Sequence, residues 1–277
     1  RQVQVLREPG RSPTTKSYMW IFRGCDQHKV PLVYRYASSR AGDIASAFVG
    51  DYEGAVQTDG YVGYDFLDKK DSVIHLGCWA HVRSNFMDAT EAGSSKSKKS
   101  GSVDVALGYI RKLYGIEKRA KARKLDVEQL VALRQNEAKP LLEKFRKWLE
   151  KKSLHVVPKS LLGKAVSYSL DQWPRLVGYL EIGHATPDNN LAENAIRPFV
   201  VGRKNWLFAG TPEGAAASAA IYSLIETAKA NGLDTYKYLR YLFENLPLAQ
   251  SEEDHLNLLP QQLNADMLAL PQGFSVV

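Results

Sequence analysis

The feature that most constrains this chain is a change of hydrophobic period at residues 91 to 102, EAGSSKSKKSGS. Before it come five short runs rich in β-branched and aromatic residues: 2 to 6 (QVQVL), 18 to 23 (YMWIFR), 30 to 36 (VPLVYRY), 55 to 58 (AVQT) and 72 to 77 (SVIHLG). Turn signals such as EPGRSP and GCDQHK divide them, so each reads as a strand. Between the third and fourth, Ile44, Phe48 and Val49 recur at helical spacing in AGDIASAFVGDY. Beyond residue 102 the pattern is almost wholly helical. VDVALGYIRKLYGIEKRAKARK, DVEQLVALRQNEAKPLLEKFRKWLEKK and SLLGKAVSYSLDQWPRLVGYLE each carry apolar residues three and four apart. Asp126 stands where the second needs an N-cap. This order predicts an α/β sheet that begins as a meander and ends with crossovers, then a small, polar, basic linker leading into helices.

Composition narrows the function classes. A chain of 277 residues, 44% hydrophobic and 24% charged, is long enough for one large core or two smaller ones and is not mainly disordered. Two cysteines, Cys25 and Cys78, cannot build a disulfide framework, and no apolar run approaches the roughly 20 residues of a membrane span. The expectation is a cytoplasmic protein with no membrane partner. The chain starts at Arg1 without a charged-then-apolar leader, and it reads as a piece of something longer. A net charge of +7 favours polyanionic partners. The charge is concentrated: from Lys96 to Lys164 there are 19 Lys or Arg and 7 Asp or Glu, and the remainder is mildly acidic. After residue 183 comes a helix of small residues, PEGAAASAAIYSLIETAKANG, suited to close packing. Residues 251 to 277 hold four acids (Glu252, Glu253, Asp254, Asp266) and no Lys or Arg, and read as a loosely attached tail.

Two carboxylates stand out. Asp59, in AVQTDGYVGYD, directly follows a strand, and the carboxyl end of a strand is where open α/β sheets present catalytic groups. Asp-Gly is also a common turn dipeptide. Glu193, in HATPDNNLAENAIRPFVVGRKNWLF, falls early in a short helix that Asp188 or Thr186 can cap and whose first turn suits Pro187. It could be half of an i,i+4 pair with Arg197. Against mere decoration, Leu191, Ala195, Ile196 and Phe199 make an apolar face beside it, and Pro198 stops or kinks the helix soon after. If Asp59 ends the fourth strand and Glu193 lies on a helix crossing the sheet, the two can share a site. Carboxylates so placed bind two Mg²⁺ or Mn²⁺ ions that activate the attacking oxygen and stabilise the leaving one in phosphoryl displacement.

QTDGYVGYD, HLGCWAHVRSNF and NNLAENAIRPFVVGRKNWLFAGTPEGAAASAAIYSLIETAKANGLD resemble the bacterial insertion-sequence sixty-six family of transposases, which belong to the Asp-Asp-Glu group. The resemblance runs over nearly the whole chain. It implies a ribonuclease-H-like mixed α/β sheet with helices, interrupted by a mainly α-helical insertion. On it, residues 1–92 are the first part of the core, 93–182 the basic insertion, 183–232 the second part of the core, and 233–277 a C-terminal tail. It makes Asp59 the second catalytic acid and Glu193 the third, both metal ligands, with two Mg²⁺ or Mn²⁺ in the intact enzyme. The family's first acid lies in an Asp-Glu-Thr run just before the strand that here reads RQVQVL, and Asp26 and Asp43 are poor substitutes for it. The resemblance therefore implies impaired catalysis by this chain alone. The implied partners are transposon-end and target DNA, with a homo-oligomer formed on DNA.

Other residues are expected near such a site. Cys78 and His81 of CWAH, with Asn189 and Asn190, are expected beside the acids, while Arg197, Arg203, Lys204 and Asn205 are expected to contact DNA phosphates, which gives affinity and not sequence readout. Trp206 is either stacking surface or core. CDQH (25 to 28) with CWAH (78 to 81) could supply four zinc ligands, but a ribonuclease-H-like sheet puts these turns at opposite ends. Two rival functions remain: a non-catalytic DNA-binding remnant, and a carboxylate-pair glycosidase, which needs neither metal nor basic insertion.

Overall fold

The computed structural model describes residues 1–25, 29–91 and 101–268. In chain order the elements are β1 (Gln2–Gln4), β2 (Lys16–Arg23), β3 (Leu32–Ala37), α1 (Gly42–Val49), β4 (Gly54–Gln57), β5 (Val73–Leu76), α2 (Trp79–Glu91), α3 (Ser102–Ala122), α4 (Val127–Leu133) and α5 (Lys139–Ser153). Then come α6 (Leu161–Asp171), α7 (Trp173–Val177), α8 (Asn190–Ala195), α9 (Arg197–Trp206), α10 (Pro212–Ala230), α11 (Thr235–Asn245) and α12 (Glu252–Asn257). The chain divides into two compact units, residues 1–40 with 191–277, and residues 41–190.

In the first unit β1, β2 and β3 form an antiparallel meander, with Val3 opposite Ser17 and Trp20 opposite Arg35. Val3, Met19 and Tyr34 from the sheet pack with Ile196, Phe199 and Ala219 from the helices. Both sheet edges are closed. On the β1 side, Ala209 donates to the Gln4 carbonyl at 2.9 Å, and Leu6 and Arg7 donate to the carbonyls of Ala209 and Gly210, each at 3.0 Å. On the β3 side, α10 supplies side chains in place of a strand. Ser223 Oγ, Thr227 Oγ1 and Asn231 Oδ1 accept from the backbone N–H groups of Tyr34 (2.8 Å), Leu32 (3.0 Å) and Val30 (3.0 Å). Thr227 and Asn231 also donate back to the carbonyls of Leu32 and Val30. The match is geometric: four helical residues rise about 6 Å and two strand residues about 6.7 Å, so an i,i+4 row runs in step with alternate strand residues. Small residues such as Ala219 let the helix come close enough.

The strands fall into two hydrogen-bonded sheets, β1 to β3 and β4 with β5, rather than the single one expected. The supposed tail also differs. Leu258, Leu263 and Leu268 are buried with Leu233, Tyr238 and Leu242, and the Tyr238 hydroxyl donates to the Leu258 carbonyl at 3.2 Å. These three leucines are therefore part of a core, whereas residues 251–257 are exposed. Most of the 91–102 linker and residues 269–277 lie outside the described residues.

The second unit carries β4 and β5 as a parallel pair, Gly54 opposite Val73 and Gln57 opposite Leu76, joined by a 3₁₀ segment, Val62–Lys69. The rest is helical, around Trp79, Val82 and Phe86 of α2, Ile110 and Leu113 of α3, Phe145 and Leu149 of α5, and Val166, Trp173 and Leu176. Trp79 meets Trp173 edge-on at 5.8 Å and donates its indole N–H to the Leu176 carbonyl at 3.0 Å. Because α2 contributes so much to this core, residues 41–91 group with the helical region and not with β1 to β3. Asp126 caps α4 as its position predicts: its carboxylate accepts from Gln129 N at 2.8 Å while the Gln129 side chain takes the Asp126 N–H, a reciprocal capping box.

One buried charge sits in this unit. Arg134, 1% exposed, opens a one-turn π segment, Arg134–Ala138. Its five N–H groups are all used. Two go to the Glu117 carboxylate at 2.8 Å each, and three to the carbonyls of Tyr179 (2.9 Å), Ile182 (3.0 Å) and Ala185 (2.8 Å). Full pairing is what makes a buried guanidinium tolerable. It also fixes the loop that enters residues 186–190.

Candidate functional site

Asp59 follows β4 by two residues, where the ladder ends with Thr58 donating to the Leu76 carbonyl at 3.0 Å. The Asp59 carboxylate accepts from Tyr61 N at 3.1 Å, an Asx turn of the kind Asp-Gly favours, and the Tyr168 hydroxyl donates to the Asp59 carbonyl at 3.2 Å. Gly60, at φ +77°, has the Tyr168 hydroxyl 2.6 Å from where a Cβ would sit. No side chain fits there, which explains the glycine. Burial pushes the Tyr168 phenol up to about 12, so it stays a donor.

Behind Asp59 runs a polar chain. Thr58 Oγ1 lies 2.8 Å from His75 Nε2, and His75 Nδ1 lies 2.7 Å from Asp68, which also pairs with Arg175. Burial holds the His75 pKa below the usual value, although Asp68 opposes it. Burial raises the Asp68 pKa, but hydrogen bonds from Arg175 and His75 outweigh that and hold it low. A neutral His75 donating from Nδ1 to an ionised Asp68 leaves Nε2 to accept from Thr58, and so pins the end of β4.

Three motifs far apart in sequence meet in this unit. Gln57 Nε2 donates to the carbonyls of Gly77 at 3.0 Å and Thr186 at 2.8 Å. Trp79 N donates to the Pro187 carbonyl at 2.9 Å. Burial pushes the Cys78 thiol up to about 11 against the backbone N–H groups of Asn189, His81 and Ala80 that point at it. QTDG, GCWAH and TPDNN are thus one hydrogen-bonded cluster. In it Cys78 is a buried thiol, His81 lies in the first turn of α2, and Asn189 Oδ1 is buried with no hydrogen-bond partner among the described residues. Asp188 Oδ1 accepts from Asn190 N at 3.1 Å at the start of α8, and Asp188 Oδ2 accepts from the Tyr114 hydroxyl at 2.6 Å. Pro187 stands ahead of the helix rather than in its first turn.

Glu193 lies on α8, three residues after Asn190 and half-buried. Residues 191 onward belong to the first unit and Asp59 to the second. α8 stops at Ala195 and α9 starts at Arg197, with Pro198 in its first turn, where a missing N–H costs nothing. Ile196 and Phe199 are buried as expected, whereas Leu191 is 53% exposed. Of the expected phosphate contacts, Arg197, Lys204 and Asn205 are exposed. Arg203 is half-buried and donates to the Gln2 carbonyl at 2.8 Å, so it anchors β1. Trp206 packs edge-on against Phe199 at 5.3 Å, which makes it core.

Among the described residues, no group of three or more His, Cys, Asp or Glu that could hold a metal comes together. For zinc, Cys25 is exposed and free, Cys78 is a buried thiol, and His28 lies outside the described residues. Sequence reasoning missed Gln57, Tyr114, Tyr168 and Arg134. Only Gln57 left a signal, two residues from Asp59 in the same quoted motif.

Residues 2–217 match the family model described as Transposase IS66 family, and residues 223–261 match the IS66 C-terminal element. Three curated proteins of Sinorhizobium fredii are similar, all named as uncharacterized. Protein y4qI is 27% identical over 94% of this chain and 49% of its own length, y4hP 28% over 83% and 44%, and y4jD 27% over 94% and 52%. The chain spans about half the length of these relatives. No solved structure matches it. With two models of one family covering nearly all of it, the chain belongs to the IS66 family of transposases.

Proposed function

We propose that the chain is the catalytic region of a DNA transposase that hydrolyses a phosphodiester at the transposon end, freeing a 3′ hydroxyl that attacks a phosphodiester of target DNA, so that the transposon strand is joined to the target and a target 3′ hydroxyl leaves. The observation that carries the reading is the cluster tying QTDG, GCWAH and TPDNN together, with Asp59 at one strand end and Glu193 on the helix that TPDNN begins. In this reading Asp59 and Glu193 are two of three catalytic acids on a ribonuclease-H-like core; a meander followed by a parallel β4–β5 pair supports that core. Cys78, Asn189 and Asn190 shape the surroundings, and Arg197, Lys204 and Asn205 meet DNA phosphates. The enzyme acts as a homo-oligomer on DNA.

Carboxylate and amide oxygens suit Mg²⁺ or Mn²⁺ in kind. They fall short in number among the described residues, so no step is assigned to an ion. The family pattern places its remaining acid just before the strand that starts at Gln2. The test is Mg²⁺- or Mn²⁺-dependent cleavage of terminal-repeat DNA by protein expressed with the coding sequence upstream of Arg1. Glu193→Gln abolishes cutting if the reading holds. Equal cutting by that variant removes Glu193 from the site, and binding without cutting by the extended wild type favours a non-catalytic remnant.

A further inference from the structure

A slot of about 350 Å³ opens between α2 and α3 in the second unit, and Asp59 is not among its lining residues. Its volume is at the low end for ligand sites, which span about 300 to 1,000 Å³. Helical spacing builds it: Ala80, Arg83 and Met87 recur on one wall, and Leu107, Ile110, Arg111 and Tyr114 on the other. Both walls are largely apolar, and each contributes one exposed arginine, Arg83 from α2 and Arg111 from α3. Among the described residues, neither guanidinium is paired with a carboxylate.

One end of the slot leads to the cluster described above. Asn190 lines it, and so does Tyr114, whose hydroxyl bonds Asp188. Apolar walls that each carry an arginine unpaired among the described residues suit a ligand with a flat, apolar middle and anionic groups beside it. A duplex presents phosphates but keeps its bases stacked out of reach. A single-stranded nucleotide offers an exposed base face for apolar or aromatic stacking and a phosphate on either side for arginine.

We propose that this slot takes one unpaired nucleotide of a DNA strand, its base against Met87 and Leu107 and its flanking phosphates on Arg83 and Arg111. The inference rests on the transposase reading and adds that the protein holds a strand opened near the cutting site.

The test measures fluorescence anisotropy of a labelled single-stranded oligonucleotide, and of the same sequence as duplex, with the 277-residue chain. Arg83→Ala with Arg111→Ala weakens single-strand binding about tenfold or more and flattens its log–log salt dependence by about 1.4, at about 0.7 per phosphate contact. Both arginines are exposed, so the fold survives. Met87→Phe fills the slot without changing charge; it weakens single-strand binding and spares duplex binding. Unchanged single-strand affinity in either variant overturns the slot while leaving the transposase reading standing, and equal loss for both DNA forms in Met87→Phe also overturns it. A wild-type chain that binds neither form contradicts the transposase reading itself.

Discussion

In the first unit a strand edge is closed by two hydroxyls and an amide from α10, whereas in the second a loop is held by one guanidinium, that of Arg134. Both devices satisfy backbone groups with side chains, but they differ in what failure would cost. Ser223, Thr227 and Asn231 are neutral and share the job, so losing one leaves the others. Arg134 holds five bonds alone and neutralises a mostly buried Glu117. The redundant device keeps a sheet from pairing with other chains. The concentrated one sits directly upstream of the residues proposed to do chemistry, where the position of a turn matters more than the strength of an edge.

The largest expected effect breaks the concentrated device. Arg134→Met leaves Glu117 without its partner and three carbonyls without donors, so urea denaturation should show a loss of about 3–5 kcal/mol. A loss below about 1 kcal/mol would mean that the loop is held by its packing. Thr227→Val keeps shape but removes the hydroxyl bonded to both Leu32 N and O, for an expected loss of about 1–3 kcal/mol. A loss as large as that of Arg134→Met would abolish the contrast between shared and concentrated bonding.

A pH series sharpens the comparison further. The His75 pKa is depressed in the fold, so the unfolded chain takes the proton first, and stability present above about pH 6.5 is lost as pH falls below it. Asp68, also depressed, adds to the loss at lower pH. Thermal melts of the wild type between pH 7 and 5 should show a decline that His75→Gln reduces; an unchanged slope would mean that other groups dominate. Smallest is Gln57→Ala, about 0.5–1.5 kcal/mol for each of two hydrogen bonds. It should impair DNA cutting more than folding, and an effect on stability alone would make Gln57 merely structural.

Much of the local structure was legible. Strand runs, the small-residue helix and the Asp126 cap follow from signals a few residues long, and each lies where those signals put it. Arg134 looked like any basic residue on an amphipathic helix, because its carbonyl partners are 45 to 51 residues away. Leu258, Leu263 and Leu268 lack helical or strand spacing, so their burial against Leu233, Tyr238 and Leu242 left no local signal. Asp59 and Glu193 stood out by position and resemblance. The bonds around them, from Gln57, Tyr114 and Tyr168, join segments with no local relation. The bond from Arg203 to the Gln2 carbonyl, across 201 residues, likewise left no local signal.

The central claim is that Asp59 and Glu193 act as one unit. The direct measurement is a double-mutant cycle on cleavage of terminal-repeat DNA, using Asp59→Asn, Glu193→Gln and both together in the upstream-extended protein, with folding checked by circular dichroism. Residues that act together lose their effect together, so each single change should cost about as much as the pair. Losses that multiply in the double variant, or a single variant that cuts like the wild type, would contradict it.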